Sequence, residues 1–240
     1  MDKQTANQLL GQVKTDYDTI AEHFAHTRMN QWYEVSYLIE QYVQAGQLVL
    51  DSGCGNGRVA DLVTKIKGRY IGIDVSEKLI EKARQLHPGI DFRVDDMLKT
   101  EFDDDSFDHV LMIASFHHLP SAANRLQALE EAKRIVKKSG YIVMTNWNLY
   151  QWRFVPLRWK FNLRKIFRLH QMDWNDSLVP WHDQKKHLLA KRYYHAFKPR
   201  ELKHLAKQVD LSLTDQYYET NGLHVTRRKG RNLITVLQKI

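Results

Sequence analysis

Asp51, Asp74 and Asp96 each follow a short apolar run, and after the first of them glycine recurs at alternate positions in Gly53-Cys54-Gly55-Asn56-Gly57. Alternating glycines let a backbone turn sharply and let a ligand approach where a Cβ would collide. A helical pattern follows from Arg58, with Val59, Leu62, Val63 and Ile66 on one face. The N-terminus of such a helix leaves N–H groups that favour a negative charge. Asp74, at the tip of the next strand, can accept both hydroxyls of a ribose. The spacing is G-x-G-x-G with an acid two residues upstream, unlike the G-x-G-x-x-G of dinucleotide sites. A single acid at a strand end says little, because turns favour Asp. Three in register after successive strands point to a ligand site rather than a ligand-free turn.

The elements that must hold these groups alternate along the chain. Leu48–Asp51, Tyr70–Asp74, Asp91–Val94, Phe107–Ala114 and Tyr141–Trp147 read as strands, with helices expected from Arg58, Ser76 and Ser121. The helix from Ser121 carries Ala122, Leu126, Leu129, Ile135 and Val136 on one side. Lys137-Lys138 then complement its dipole, with Gly140 as its C-cap. A helical stripe of Leu9, Leu10, Val13, Tyr17, Ile20 and Phe24 precedes the first strand. A helix from Pro199 and two strands, about 212–220 and 232–238, end the chain. This order predicts an α/β fold with a mostly parallel sheet, helices on both faces and an antiparallel terminal strand. We expect one domain over 1–240, with 1–46 as a helical cap and 149–200 as an insertion.

Composition fits such a domain: 240 residues with 43% hydrophobic can build a sizeable core. No apolar run approaches the roughly 20 residues that span a bilayer, and Met1–Asn7 lacks the features of a signal peptide. A lone cysteine, Cys54, excludes an internal disulfide and a Cys-cluster zinc site; within the glycine loop it reads as packing. We expect a cytoplasmic protein with no metal.

The net charge of +8 is concentrated in one stretch. Residues 149–200 hold twelve Lys or Arg against Asp173, Asp176 and Asp183, a local +9, which leaves the rest of the chain at −1. Aromatic residues run through it, among them Tyr150, Trp152, Trp159, Trp174, Trp181 and Tyr194. Cations for phosphates and rings for unstacked bases suit RNA loops. An amphipathic lid with solvated charges and an anionic membrane surface are the other readings of this stretch.

The segment Asp51–Arg58 resembles motif I of class I S-adenosylmethionine (SAM) methyltransferases. Further stretches narrow the resemblance: Tyr17-Asp18-Thr19-Ile20-Ala21-Glu22-His23-Phe24 with Thr27-Arg28 and Trp32, Ala114-Ser115-Phe116-His117-His118-Leu119 with Arg125, and Asn146-Trp147. Leu178-Val179-Pro180-Trp181 and Arg192-Tyr193-Tyr194-His195-Ala196-Phe197, with Glu201-Leu202, complete the set. Together they are similar to the tRNA wobble-uridine carboxymethyl methyltransferases, also found fused to an AlkB-type hydroxylase. The resemblance implies a Rossmann-like, seven-stranded sheet and methyl transfer from SAM to the carboxylate of 5-carboxymethyluridine in the anticodon loop.

What it implies for the residues is specific. SAM would be bound by Tyr17, Arg28 and Asp51; by Gly53, Gly55, Asn56 and Gly57 of the loop; by Asp74 and Val75; and by Asp96, Met97 and Ala114. In this pattern Asp96 accepts from the adenine amino group and the Met97 N–H donates to the ring, with Asp95 a near-equal candidate. A carboxylate nucleophile of pKa near ~4 needs no general base, so the problem is one of orientation. Hydrogen-bond donors are therefore the catalytic candidates: His117 or His118, His195, Tyr194 and Arg125, with Arg28 nearby. RNA contacts are expected from Arg164, Lys165 and Arg168, and from Lys185, Lys186, Lys191 and Arg192. Partners would be tRNA and a small zinc-binding activator subunit.

Each candidate has a plainer reading. Adjacent His117 and His118 cannot both enter one site from an extended chain, His195 could be a core histidine, and Arg125 a solvated helix charge. Tyr17 and Phe24 lie on an apolar stripe. The chain departs from the family at Lys99-Thr100, where a proline is usual, and at Arg231–Ile234, where tryptophan is frequent. Two other functions fit the sequence: an O-methyltransferase of a small carboxylate or hydroxyl metabolite, and a catalytically silent RNA- or partner-binding relative. Asp51, the three glycines and Asp74 argue against silence.

Overall fold

The computed structural model describes residues 1–28, 33–167 and 171–240, and only the backbone of Tyr33 and Glu34. In chain order the elements are α1 (Lys3–Thr27), α2 (Tyr33–Tyr42), β1 (Leu48–Ser52), α3 (Ala60–Lys65), β2 (Arg69–Asp74), α4 (Glu77–Leu86), β3 (Asp91–Val94) and β4 (Phe107–Ile113). A 3₁₀ turn, Phe116–His118, leads to α5 (Ala122–Ile135) and β5 (Val136–Trp147). Then come α6 (Val155–Ile166), β6 (Asp176–His182), β7 (Leu188–His195), α7 (Pro199–Gln208), β8 (Leu211–Thr220), β9 (Leu223–Val225) and β10 (Asn232–Lys239).

The main sheet runs β3-β2-β1-β4-β5-β10-β8-β9, parallel as far as β5, with β10 antiparallel to both neighbours. It has eight strands rather than seven because Leu223–Val225 folds back on β8. One core packs α5 and α7 against the sheet through Leu129, Ile135, Leu202 and Leu205. The other packs α2, α3 and α4 through Leu38, Val63 and Ile80. Strand order reverses between β1 and β4, and such a point opens a crevice at the carboxyl ends of the strands.

Two local expectations fail. The helix expected from Arg58 begins only at Ala60 and is six residues long, after a turn that Gly57 enters with φ +81°. The helix from Ser121 stops at Ile135, and Val136 already belongs to β5. Lys137 and Lys138 therefore cap nothing; Lys137 Nζ instead pairs with Asp108 at 2.8 Å. Gly140 is no C-cap either. A Cβ there would lie 2.4 Å from the Asp108 carbonyl oxygen, so close strand approach requires the glycine.

The departure at Lys99-Thr100 has a structural use. Lys99 N–H donates to the Asp96 carbonyl at 3.0 Å and Thr100 N–H to Glu131 Oε1 at 2.8 Å. Proline at either position would lose that donor.

The stretch after β5 contains a separate antiparallel hairpin, β6–β7, absent from the sequence reading. Long helix α1 packs on β7 and on α4, joining hairpin to sheet. Its Asp18 carboxylate accepts from the hydroxyl of Ser76 at 2.6 Å, and Ser76 Oγ caps α4 through Leu79 N–H.

Candidate active site

A cavity of ≈ 830 Å³ lies between the carboxyl ends of the strands, α1 and the hairpin. Its first wall is the glycine loop with three acids. Asp51 is 1% exposed; its Oδ2 accepts from Tyr70 at 2.7 Å while Oδ1 has no partner. Burial pushes its carboxyl up to about 7. Asp74 accepts from Gly55 N–H at 3.0 Å and Ser76 N–H at 2.9 Å, and burial raises it to about 6.

Gly53 is forced twice over. Its φ is +83°, and a Cβ there would lie 2.3 Å from Ser115 Cβ. Gly53 and Cys54 N–H both donate to Ile73 O, and Gly57 N–H donates to Cys54 O. With Gly55 N–H on Asp74, these loop donors are spent internally. Those four glycine-loop N–H groups are thus committed, and the lining carboxylates favour a cationic or hydroxyl-bearing ligand. Cys54 lies buried in this loop, and burial raises its thiol well above the ordinary value, which suits packing rather than nucleophilic chemistry.

Of the third acid pair, Asp95 and Met97 line the cavity and Asp96 does not. Asp96 is exposed, and its Oδ1 accepts from Leu98 N–H at 2.9 Å. The residue aligned on the adenine thus serves the turn, and its neighbour faces the ligand space. Tyr17, Arg28, Asn56, Val75 and Ala114 also line the cavity; Gly57 shapes the turn behind it against Phe92 and His87.

The second wall is aromatic and cationic, with Trp147, Trp181, Tyr194, Arg192, His117 and His118. Both histidines reach it because Phe116–His118 is a 3₁₀ turn rather than extended chain, so the expectation that one must point away is overturned. His118 Nδ1 lies 2.7 Å from the carbonyl of Tyr193, which can only accept, so Nδ1 carries the proton. Nε2 then accepts from the hydroxyl of Tyr17 at 2.7 Å. Burial lowers His118 to about 3, keeping it neutral. His117 Nδ1 accepts from Trp147 N–H at 3.4 Å, which leaves its proton on Nε2, a buried atom with no hydrogen bond within 3.5 Å among the described residues. Burial holds it, too, well below the ordinary histidine value.

Strand alternation in β7 sorts the Arg-Tyr-Tyr-His run. Arg192 and Tyr194 face the cavity, whereas Tyr193 and His195 face the other side. Tyr193 packs with Val13, Phe161 and Met172. His195, a catalytic candidate from sequence, lies outside the cavity between Asp176 (2.6 Å) and Glu201 (2.7 Å). Arg125 is neither solvated nor in the cavity. It is 2% exposed, donates to Leu119 O at 3.1 Å and reaches Asp173 at 3.4 Å.

Of the expected RNA contacts, Arg164, Lys185, Lys186 and Lys191 are exposed. Arg192 is 4% exposed and belongs to the cavity. Lys165 donates to the carbonyls of Trp174 and Asp176, and burial lowers it to about 8. Arg168, like Trp32, lies outside the described residues. Trp152, Trp159 and Trp174 are more than half exposed, and no helix among the described residues is long and apolar enough to cross a membrane. Cavity residues not among the expected site residues include Trp147, Trp181, Ser115, Arg153 and Asn232. Trp147 and Trp181 lie in Asn146-Trp147 and Pro180-Trp181, but nothing local ties them to one site.

Comparison with known proteins bears on this geometry. A family model described as a methyltransferase domain matches residues 50–144. The tRNA (carboxymethyluridine(34)-5-O)-methyltransferase of Schizosaccharomyces pombe is 28% identical over 96% of this chain and 100% of its own length. A protein of Encephalitozoon cuniculi named as a methyltransferase is 30% identical over 89% of this chain and 93% of its own. Among solved structures, a SAM-dependent methyltransferase of Methanosarcina mazei superposes with a TM-score of 0.68 at 22% identity, covering 85% of this chain and 97% of that one. The Haloferax volcanii methyltransferase solved with the Trm112 activator gives 0.65 at 20% identity, over 94% and 96%. From the acid-tipped strands, the glycine loop between them and these relatives, the chain belongs to the class I SAM-dependent methyltransferases and takes SAM as its methyl donor.

Proposed function

We propose that this enzyme methylates the carboxylate of 5-carboxymethyluridine at the tRNA wobble position. The observation that carries the reading is the alignment along the whole of the fission yeast protein, whose name states that substrate. When bound, SAM supplies an electrophilic methyl on a cationic sulfur; its transfer to a carboxylate oxygen leaves a methyl ester and S-adenosylhomocysteine.

The residues fit that donor. Asp74 accepts from the ribose hydroxyls, and Asp95 rather than Asp96 takes the adenine amino group, with Met97 beside it. The orphan Oδ1 of Asp51 suits the amino group of the methionine portion, and Arg28 suits its carboxylate. Gly53 and Gly55 keep the loop clear of side chains, and Asn56, Val75 and Ala114 complete the wall. Neither cavity histidine acts as a base: the unprotonated nitrogens, His118 Nε2 and His117 Nδ1, already accept from the Tyr17 hydroxyl and the Trp147 N–H, burial opposes a charged ring, and an ionised carboxylate requires none.

We further read the chain as one domain with 1–46 as a cap and 149–200 as the RNA-facing insertion. Exposed Arg164, Lys185, Lys186 and Lys191 would neutralise phosphates. The compartment is the cytoplasm. A small zinc-binding activator subunit is part of the proposal; the Haloferax methyltransferase of the same fold is seen in complex with the Trm112 activator.

The test is methyl transfer from labelled SAM to tRNA lacking the terminal methyl, followed by nucleoside mass spectrometry and mild alkali. An alkali-labile methyl on carboxymethyluridine is the expected result. No incorporation, with SAM bound and an activator supplied, would favour a small-molecule acceptor.

A further inference from the structure

Five arginines line the cavity: Arg28, Arg58, Arg153, Arg192 and Arg231. Only Arg192 is buried, at 4% exposure. Its guanidinium lies 4.3 Å from the ring centre of Trp181, 5.1 Å from Tyr194 and 5.7 Å from Trp147. It donates one hydrogen bond, at 3.4 Å, to the hydroxyl of Tyr17, and its Nε has no partner.

Among the described residues no carboxylate lies within ion-pair distance of it. The acid that acts on it is Asp16, whose own Oδ1 accepts from Gln12 at 2.8 Å. Burying a cation with no carboxylate in direct contact is unfavourable, and ring faces and a more distant acid offset that cost only in part. A fold that keeps such a group at a cavity wall has left its counter-charge to a ligand.

A second donor lies against the same ring. His117 stacks on Tyr194 at 4.8 Å and carries its proton on Nε2, which makes no hydrogen bond within 3.5 Å among the described residues although the Asn146 side chain interacts with the ring. The Tyr17 proton, by contrast, is spent on His118, so Tyr17 oxygen receives Arg192 and orients it. The contacts of Arg192 are Tyr17, Trp147, Trp181 and Tyr194; none of Asp51, Asp74 or Asp95 is among them.

We propose that Arg192, with the Nε2–H of His117 as a second donor, binds the carboxylate group of the substrate. The inference rests on the reading of a carboxymethyl acceptor and supplies the group that recognises it. A guanidinium suits the task. It matches a carboxylate's planar geometry, stays charged at every working pH and takes no proton from the nucleophile. It also orients one oxygen while leaving the other free. Sequence reading had given Arg192 to the RNA surface; β7 turns it inward, onto the acceptor itself.

Arg192→Met and Arg192→Lys test it, each saturated with S-adenosylhomocysteine beside the wild type. Binding is compared for tRNA carrying 5-carboxymethyluridine and for the same tRNA carrying the neutral 5-carbamoylmethyluridine. The wild type should prefer the carboxylate by about tenfold or more, the Met variant should bind both alike, and the Lys variant should keep part of the preference. Affinity for S-adenosylhomocysteine should not change, which also reports that each variant is folded. A preference retained in the Met variant, or a weakened cofactor product complex, overturns the assignment.

Acetate presents the same anion without RNA. It should give saturation-transfer NMR signals with the S-adenosylhomocysteine-loaded wild type and none with the Met variant. No acetate signal from the wild type overturns the subsite even if tRNA is methylated. Acetate contact without tRNA methylation supports the subsite and removes the tRNA reading.

Discussion

One wall of the cavity is built from loops at the tips of β1, β2 and β3 and carries Asp51, Asp74 and Asp95. The other is built from α1, the 3₁₀ turn, the end of β5 and the β6–β7 hairpin, and carries Arg192, Trp147, Trp181, Tyr194 and two neutral histidines. The acids hold protons more tightly than usual because burial opposes their charge. The histidines release theirs more readily for the same reason. Desolvation thus moves both walls toward neutrality, and Arg192 is the group that cannot follow. Of the five arginines that line the cavity it is the buried one, which suits it to an anion.

The sharpest way to break the acidic wall is at Gly53. Gly53→Ala places a side chain in left-handed backbone and 2.3 Å from Ser115 Cβ. We expect a loss of about 3 kcal/mol or more and a fall in Tm of about 10 °C, measured by thermal unfolding. An unchanged Tm would mean the loop repacks freely.

Asp74→Ala comes next. Losing a charged acceptor for two hydroxyls should weaken SAM binding by about 2–3 kcal/mol, read by calorimetry, with tRNA affinity retained. Equal loss of both would merge the two walls into one functional unit.

His195→Ala probes a residue that belongs to neither wall. It strands Asp176 and Glu201 and should cost about 2 kcal/mol of stability, seen in denaturant unfolding. Turnover of the folded enzyme should stay near wild type; a turnover loss beyond the stability loss would return His195 to the chemistry.

The pH profile of SAM binding separates the walls without mutation. Asp74, raised to about 6, accepts hydroxyl protons best when ionised. With Asp51 raised to about 7 in the same wall, cofactor affinity should be flat above about pH 8 and fall progressively through 7 and 6, by up to about tenfold per unit for each carboxylate. His117 and His118 stay neutral through this range and should add no inflection near 6.5. A rise in affinity toward acid would contradict the assignment of Asp74.

The smallest effects belong outside the cavity. Replacing Lys185, Lys186 or Lys191 singly by Ala should lower the salt slope of tRNA binding by about 1 each, while leaving carboxylate preference intact. A changed preference would place the surface cations inside the recognition step.

The acidic wall was legible in the sequence because its parts are local. A glycine that needs left-handed backbone, and an acid at the end of an apolar strand, declare themselves within a few residues. Even there the choice between two near-equal acids was not legible: Asp95 lines the cavity and Asp96 does not, because which of them faces inward depends on a turn that Leu98 N–H closes.

The cationic wall was legible only as composition. Its charge and rings were visible, but not their direction: Arg192 read as surface, and His195 and Arg125 as catalytic candidates, whereas both of these lie outside the cavity. Direction there is set by strand alternation in β7 and by the helix α1 packed against it.

By itself, then, the sequence determined the parallel strands, the glycine turn and the acids after β1 and β2, all products of short-range sterics and periodicity. Tertiary structure alone decided that both histidines share one cavity, that Tyr194 enters it while His195 does not, and that Arg192 lies buried with no carboxylate of the described residues in ion-pair contact. Those outcomes depend on which faces of distant elements meet, and no local pattern encodes that.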